Sequence, residues 1–106
     1  MNSKLIDLIT ICRKAGRMVM GFDPSKEAIE SGKAFSVILA SDISPKTEKE
    51  IRFFAGKRNV PVAVSDCTIN EFYCSLGKKV GVIAICDEGF SKKALALTEE
   101  NNGSEK

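Results

Sequence analysis

Residues 80–86 read VGVIAIC, and residues 35–40 read FSVILA. Neither stretch alternates apolar with polar side chains, and continuous apolar character is typical of strands that are covered on both faces. Residues 18–20 and 60–64 are two shorter strand candidates, and Pro61 indicates either a sheet edge or the start of a strand. The sequence therefore predicts four strands, two of which are buried on both faces.

Helix signals lie before, between and after these strands. Three helix starts carry capping or helix-starting pairs: Asp23 with Pro24, Ser44 with Pro45, and Thr68 with Glu71. Asp23 is interpreted as the N-cap of the second helix. The third helix is expected to bury Phe54, and the fourth is expected to bury Phe72 and Tyr73. The order α-β-α-β-α-β-α-β-α predicts an α/β fold with a central, largely parallel sheet and helices on both faces.

The length of 106 residues suits one domain, expected at residues 1–100, with a polar tail at residues 101–106 that is expected to fray. No apolar stretch approaches the ~20 residues of a membrane helix, and the N-terminus lacks the apolar core of a signal peptide. A cytosolic protein without membrane contact is therefore expected. Four cysteines without C-x-x-C spacing and the absence of histidine argue against a zinc site, and no cofactor is expected.

Groups that could catalyse a reaction are scarce. There is no histidine to act as a base near neutral pH, and neither a G-x-G-x-x-G motif nor a complete phosphate-loop motif occurs. Asp42 and Asp66 follow strands, where α/β enzymes often place functional groups, but turn formation and helix capping explain them as well. The sequence therefore predicts a protein that is not an enzyme.

The positions of the basic residues are more informative than the net charge of +2. Several basic residues lie at helix ends and in loops, where ligands are usually bound: Arg13, Lys14, Arg17, Lys26, Lys33, Lys78 and Lys79. If they converge, they form a patch beside the N-terminus of the second helix, whose free N–H groups and positive dipole end favour phosphate. The alternative interpretation is a scatter of solubilising surface charges.

Separated motifs, matching in order, resemble those of one known family. They are CRKAGRMVMG at 12–21, IESGKA at 29–34, VILASD at 37–42, VPV at 60–62, LGKK at 76–79 and VGVIAICDEGF at 80–90. Over residues 4–97 the chain resembles the archaeal and eukaryotic kink-turn-binding ribosomal proteins, and most closely their bacterial YlxQ-like members. The resemblance implies a three-layer α/β/α sandwich around a four-stranded mixed sheet. It also implies non-catalytic binding of structured RNA with a kinked internal loop.

In that family, the loop before the second helix and the first turns of that helix enter the kink. There an Asn-Glu pair and a following lysine contact the RNA, and the loop before the last long strand adds apolar contacts. The RNA-binding residues expected here are Arg17, Gly21, Phe22, Asp23, Lys26, Glu27, Lys33, Lys78 and Lys79. The expected partners are structured RNA, ribosomal RNA included, and ribosomal or other translation proteins.

Three positions depart from the family's motif when the glycines that flank the second helix are aligned. Asp23 stands at the Asn position, Pro24 at the Glu position and Glu27 at the lysine position. An ionised Asp23 cannot donate a hydrogen bond as an amide does, and Glu27 repels phosphate. Lys26 lies about 100° round the helix and replaces the lost charge only in part. We therefore expect weakened or altered recognition of RNA, with Asp23 better explained as an N-cap.

Two other functions stay open at this point. The lost motif residues and the modest net charge also suit a protein-interaction module of the same fold that has lost RNA binding, with exposed Ile11 or Phe22 as a partner contact. The third function is binding of a small ligand or anion at the N-terminus of the second helix.

Overall fold

Five helices and four strands alternate along the part of the chain that the computed structural model describes, which is residues 3–103, with side chains from 4 to 98. In chain order they are α1 (Ser3–Lys14), β1 (Met18–Met20), α2 (Phe22–Glu30), β2 (Ser36–Leu39), α3 (Pro45–Lys57), β3 (Val62–Val64), α4 (Ile69–Leu76), β4 (Val82–Ile85) and α5 (Glu88–Gly103). The predicted alternation is confirmed. The backbone of α5 extends three residues into the predicted tail, and residues 104–106 lie outside the described residues.

The four strands form one mixed sheet in the order β1-β4-β2-β3. β2 and β3 are parallel, whereas β4 lies antiparallel between β1 and β2. The prediction of a largely parallel sheet was therefore wrong, and the mixed sheet implied by the family resemblance is confirmed. Val64 at the end of β3 and Val82 at the start of β4 are both in register with Leu39, so the chain returns to the same end of the sheet before β4 begins.

The two central strands separate two apolar clusters. On β2, Val37 and Leu39 face the layer of α2 and α3, while Ile38 faces the layer of α1, α4 and α5. β4 divides in the same way, with Val82 on the first side and Ile83 on the second. All eight residues of β2 and β4 are buried, which confirms the prediction from their apolar sequences. Burial of each large aliphatic side chain contributes about 1.5–3 kcal/mol, so these two strands hold the three layers together.

Two of the predicted helix starts are confirmed by their hydrogen bonds. The hydroxyl of Ser44 accepts from the N–H of Thr47 at 3.2 Å, and Pro45 occupies the first turn of α3. At α4, the hydroxyl of Thr68 accepts from the N–H of Glu71 at 3.1 Å, and the Glu71 carboxylate accepts from the N–H of Thr68 at 2.8 Å. Both caps fix where the chain leaves a loop and enters a helix.

The predicted N-cap of α2 and the predicted burial of Tyr73 were wrong. α2 begins at Phe22 with Gly21 as its N-cap and without a hydrogen bond from a capping side chain, so Asp23 lies inside the first turn. Gly21 takes this role because its φ of 104° is open to glycine and strained for other residues. Tyr73 is 50% exposed because Phe72 and Leu76, four residues apart, form the buried face of α4.

No helix among the described residues combines the length and the apolar character needed to cross a membrane.

Candidate functional site

The loops that carry most of the expected binding residues meet at one end of the sheet. β1, β2 and β3 end there and β4 begins there, because Met20 is in register with Ile83 and Leu39 with both Val64 and Val82. We call this the loop end, and the opposite end the far end. The loops that precede α2, α3 and α4, together with residues immediately before β4, therefore lie side by side.

Gly21 fixes the turn between β1 and α2 against the start of β4. Its N–H donates to the carbonyl of Val82 at 2.8 Å, and its own carbonyl accepts from the N–H of Ser25 at 3.1 Å. A Cβ at Gly21 would lie 4.0 Å from Cγ1 of Val80, which shows how closely the two segments approach. The N-terminus of α2 is thus held beside the loop at residues 77–81.

The first turns of α2 present mostly acidic and apolar side chains. Asp23 and Glu27 are exposed, and among the described residues neither carboxylate takes part in a hydrogen bond or an ion pair. Phe22 is half-buried and packs against the cluster between α2 and α3. Because no side chain caps α2 and Pro24 has no N–H, the amides of Phe22 and Asp23 are the groups that this turn offers to an anion.

Lys78 and Lys79 bring positive charge to the loop end. Both are exposed in the loop before β4, and Lys79 precedes Val80, the residue beside Gly21. The base of this loop is tightly held, because a Cβ at Gly81 would clash with Cδ1 of Ile43 and would lie 3.2 Å from Cγ1 of Ile69. The two lysines therefore extend from a well-packed base.

Hydrogen bonds between loops complete the loop end. The N–H of Ala40 donates to the carbonyl of Gly81 at 2.9 Å, which joins the end of β2 to the start of β4. The carboxylate of Asp42 accepts from the N–H of Ile69 at 2.9 Å, so it caps the first turn of α4 from another loop. The interpretation of Asp42 as a helix-capping residue is confirmed.

Arg17 and Lys33 lie at the far end. The carbonyl of Arg17 accepts from the N–H of Cys86 at 2.8 Å. Burial raises the pKa of the Cys86 thiol, and the nearby positive charge of Lys33 lowers that pKa in part. β1 separates Arg17 from Gly21 by roughly 13 Å at 3.3 Å per residue. The structure therefore separates Arg17 from the start of α2, and the expected convergence was wrong for Arg17, whereas Lys33 lines a small pocket with Pro24 and Glu27.

A cluster on α3 lies outside the set of residues expected from the sequence. Phe53 is 59% exposed, and Phe54, expected to be buried, is half-buried. The ammonium group of Lys57 lies 4.6 Å from the ring centroid of Phe53, and that of Lys26 on α2 lies 4.5 Å from the ring centroid of Phe54. Lys26 thus contacts α3, which packs with α2 on the same side of the sheet.

The model of the Ribosomal protein L7Ae/L30e/S12e/Gadd45 family matches residues 3–95 of the chain. The chain belongs to this family. It is 31% identical over 100 residues to the RNA-binding protein YlxQ of Enterococcus faecium, covering 92% of this chain and 94% of that one. It is 29% identical over 89 residues to the large ribosomal subunit protein eL30 of Aeropyrum pernix, covering 82% and 88%.

A solved structure of this kind agrees with the fold. A Bacillus halodurans protein of unknown function superposes with a TM-score of 0.85 at 28% identity, covering 92% of this chain and 98% of that one. The resemblance drawn from the sequence motifs is confirmed by the family match, and the three-layer sandwich by the arrangement of the layers.

Burial raises the pKa of two cysteine thiols, those of Cys12 and Cys86. Burial, with the nearby charges of Asp87 and Cys86, raises the pKa of Cys12 from its ordinary value of 9.0 to about 11. The Cys12 thiol donates to the carbonyl of Arg17 at 3.3 Å, at the end of the loop that follows α1. Within the described range, no group of three or more Cys, Asp or Glu side chains could hold a metal ion.

Proposed function

We propose that this member of the L7Ae/L30e/S12e/Gadd45 family binds structured RNA with a kinked internal loop at its loop end and catalyses no reaction. One observation carries the proposal: the hydrogen bond from Gly21 to Val82 holds the start of α2 beside the loop of Lys78 and Lys79. Helix N-terminal amides and lysines both favour phosphate, and a sharply bent backbone brings phosphates close together. Two relatives, an RNA-binding protein and a ribosomal protein, support the same conclusion.

The proposed recognition differs from the family's motif at the start of α2. Asp23 and Glu27 place two exposed negative charges where the motif has an amide and a lysine, and Pro24 removes a carboxylate. Phosphate contacts then depend mainly on Lys78 and Lys79, with Lys26 further along α2. We place Gly21 and Phe22 in the site as the turn and its neighbour, and expect shape to contribute more than base readout.

Arg17 and Lys33 have a smaller part in this proposal than the sequence suggested. Both lie at the far end, roughly 13 Å from Gly21 along β1, although Lys33 also lines a small pocket with Pro24 and Glu27. Lys33→Ala is therefore expected to lower the affinity for a short kinked RNA less than the loss of Lys78 and Lys79 does.

Titration against a kinked RNA and an unkinked duplex of the same length tests the proposal. The Lys78→Ala/Lys79→Ala variant should lose affinity for the kinked RNA, and the slope of log affinity against log salt should shrink by ~1 per lost phosphate contact. Lys92→Ala/Lys93→Ala is the matched control, because it removes an adjacent pair of exposed lysines from α5. Equal affinity for both RNAs, or equal losses in the two variants, would contradict the proposal. Nanomolar affinity for a standard kink-turn RNA would contradict weakened recognition.

Protein binding is a second candidate function with an observation of its own. An apolar groove between α1 and α5 is lined in part by Leu8, Ile11 and Ala96. Ile11 is 56% exposed, which agrees with the expectation that it lies outside the core. If this groove binds a protein, Ile11→Glu should abolish capture of that partner and leave the affinity for RNA unchanged, because α1 and α5 lie on the other face of the sheet from α2.

A further inference from the structure

Two phenylalanines and two lysines form a continuous surface across α2 and α3. The ring centroids of Phe53 and Phe54 lie 5.5 Å apart with the ring planes at 71°. Lys57 lies over the ring of Phe53, and Lys26 lies over the ring of Phe54. We call these four residues the aromatic patch. Because Lys26 comes from α2, the patch begins about one turn from the proposed RNA site.

Phe53 lies outside the face of α3 that packs against the core. Neighbouring residues on a helix point about 100° apart, and Ile51, Phe54 and Ala55 form the stripe of α3 that faces the core. Phe54 packs against the cluster between α2 and α3, while Phe53 is 59% exposed. An exposed aromatic side chain beside a second ring contributes little to the core, and such an apolar surface suits a ligand that stacks on it.

The charge around the patch suits a polyanion. Residues 45–58 contain five basic and two acidic residues, a net charge of +3, whereas the whole chain carries +2. Arg52 is paired with Glu48 at 2.9 Å. The ammonium groups of Lys26 and Lys57 lie over aromatic rings. Among the described residues neither lysine forms an ion pair, so both ammonium groups are available to bind phosphate. Aromatic rings with nearby cations are the combination that single-stranded nucleic-acid binders use.

We propose that the aromatic patch binds an unpaired nucleotide of RNA, with its base stacked on Phe53 and its flanking phosphates at Lys57 and Lys26. The inference rests on the proposed function only in that the nucleotide belongs to the RNA held at the loop end. An RNA strand that leaves the start of α2 along this layer meets Lys26 first and then the two rings. The patch therefore favours RNA with a single-stranded segment next to its kinked element.

The base replaces a weaker contact on the ring. A cation–π contact at an exposed site changes an equilibrium by about 2- to 5-fold. Stacking of a base on an aromatic ring changes it by about 5- to 150-fold. The flexible side chain of Lys57 can leave the ring and contact the incoming phosphate, so the exchange favours the bound nucleotide.

Fluorescence of introduced tryptophans tests stacking directly, because the chain contains no Trp. The probe is an oligoadenylate about eight nucleotides long, which spans a typical single-strand site. We expect it to quench the fluorescence of a Phe53→Trp variant and not that of a Tyr73→Trp variant. Tyr73 is the matched control, since it is 50% exposed on α4, in the other helical layer. Equal quenching of the two variants, or no quenching of Phe53→Trp, would overturn the proposal.

Affinity for folded RNA gives a second, independent measurement. The same kinked RNA is titrated with blunt ends and with a single-stranded extension. We expect the wild type to bind the extended RNA more tightly. Phe53→Ala should lower that affinity by about 5- to 150-fold, Phe53→Trp should preserve it, and Tyr73→Ala should leave it unchanged. Equal affinity of the wild type for both RNAs would overturn the patch and leave the loop-end proposal standing. Quenching without binding of either kinked RNA would support the patch and overturn the loop-end proposal.

Discussion

Gly21→Ala perturbs the turn on which the proposed RNA site depends. Gly21 has φ 104° and ψ 162°, in a region nearly restricted to glycine, and strain of this kind costs of order 1–3 kcal/mol. The added methyl group meets no atom too closely, because the nearest, Cδ of Pro24, is 3.6 Å from the Cβ position. The expected cost is therefore backbone strain without a steric clash.

The variant can keep the turn or change it, and each response has its own signature. If the turn is kept, the strain lowers the free energy of unfolding by about 1–3 kcal/mol and the melting temperature by roughly 4–8 °C per kcal/mol. If φ changes, the hydrogen bond from Gly21 to Val82 is lost and the start of α2 moves away from Lys78 and Lys79. In that case the affinity for RNA falls as well.

Gly56→Ala is the matched control. Gly56 lies in α3, is exposed, and has no atom within 4 Å of its Cβ position. Alanine in a helix is more stable than glycine by roughly 0.5–1 kcal/mol, so this variant should melt at a higher temperature than the wild type. Thermal unfolding followed by far-UV circular dichroism compares the three proteins. A melting temperature of Gly21→Ala equal to that of the wild type would contradict the strain at Gly21. So would a melting temperature of Gly56→Ala that is lowered as much as that of Gly21→Ala.

Three further outcomes are expected. Thr68→Ala breaks the capping box of α4 and should lower the free energy of unfolding in urea by about 0.5–2 kcal/mol. Asn70 is exposed, so Asn70→Ala should change that free energy by less than about 0.5 kcal/mol. Equal losses in the two variants would contradict a stabilising role of the cap. The pKa of the Cys12 thiol is ordinarily 9.0 and is about 11 in the folded protein, so its contribution to the free energy of unfolding is fully present below pH 9.0 and is lost as the pH rises to about 11. Cys12→Ala should reduce this loss of stability between pH 9.0 and about 11. An unchanged loss would exclude Cys12 as its source. Glu27→Lys should raise the affinity for kinked RNA and steepen the slope of log affinity against log salt by ~1. Asp7→Lys on α1 should change neither quantity. An unchanged affinity of Glu27→Lys would show that Glu27 lies outside the site.

Sequence signals that act over a few residues predicted most of the fold. Ser44 and Thr68 mark their helices correctly, because a cap needs only a hydroxyl and an N–H three residues later. The direction of β4 was beyond such signals, since it depends on where the preceding connection ends in space. α4 has eight residues and is about 12 Å long. The connection that contains it starts after Val64 and ends at Val82, at the same end of the sheet on the other side of β2, so β4 runs back along the sheet.

The site was harder to predict because separation along the chain does not give separation in space within a sheet. Arg17 and Gly21 are four positions apart, yet β1 places them at opposite ends. Gly21 and Val80 are far apart in the chain, yet their side-chain positions are in van der Waals range. The exposure of Phe53 could have been predicted, because it lies outside the stripe of Ile51, Phe54 and Ala55 at helical spacing.

The acidic residues at the start of α2 have little structural role, which supports the proposal that they alter the recognition of RNA. Because Gly21 is the N-cap, the fold needs the carboxylate of Asp23 only for a helix-dipole contribution of about 0.3–1 kcal/mol. Glu27 is exposed and has no ion pair among the described residues. A phosphate near this turn, however, is repelled by both charges. Under the proposed function we therefore expect their main effect to fall on the bound RNA, whose phosphates should lie closer to Lys78 and Lys79 than to the first turn of α2.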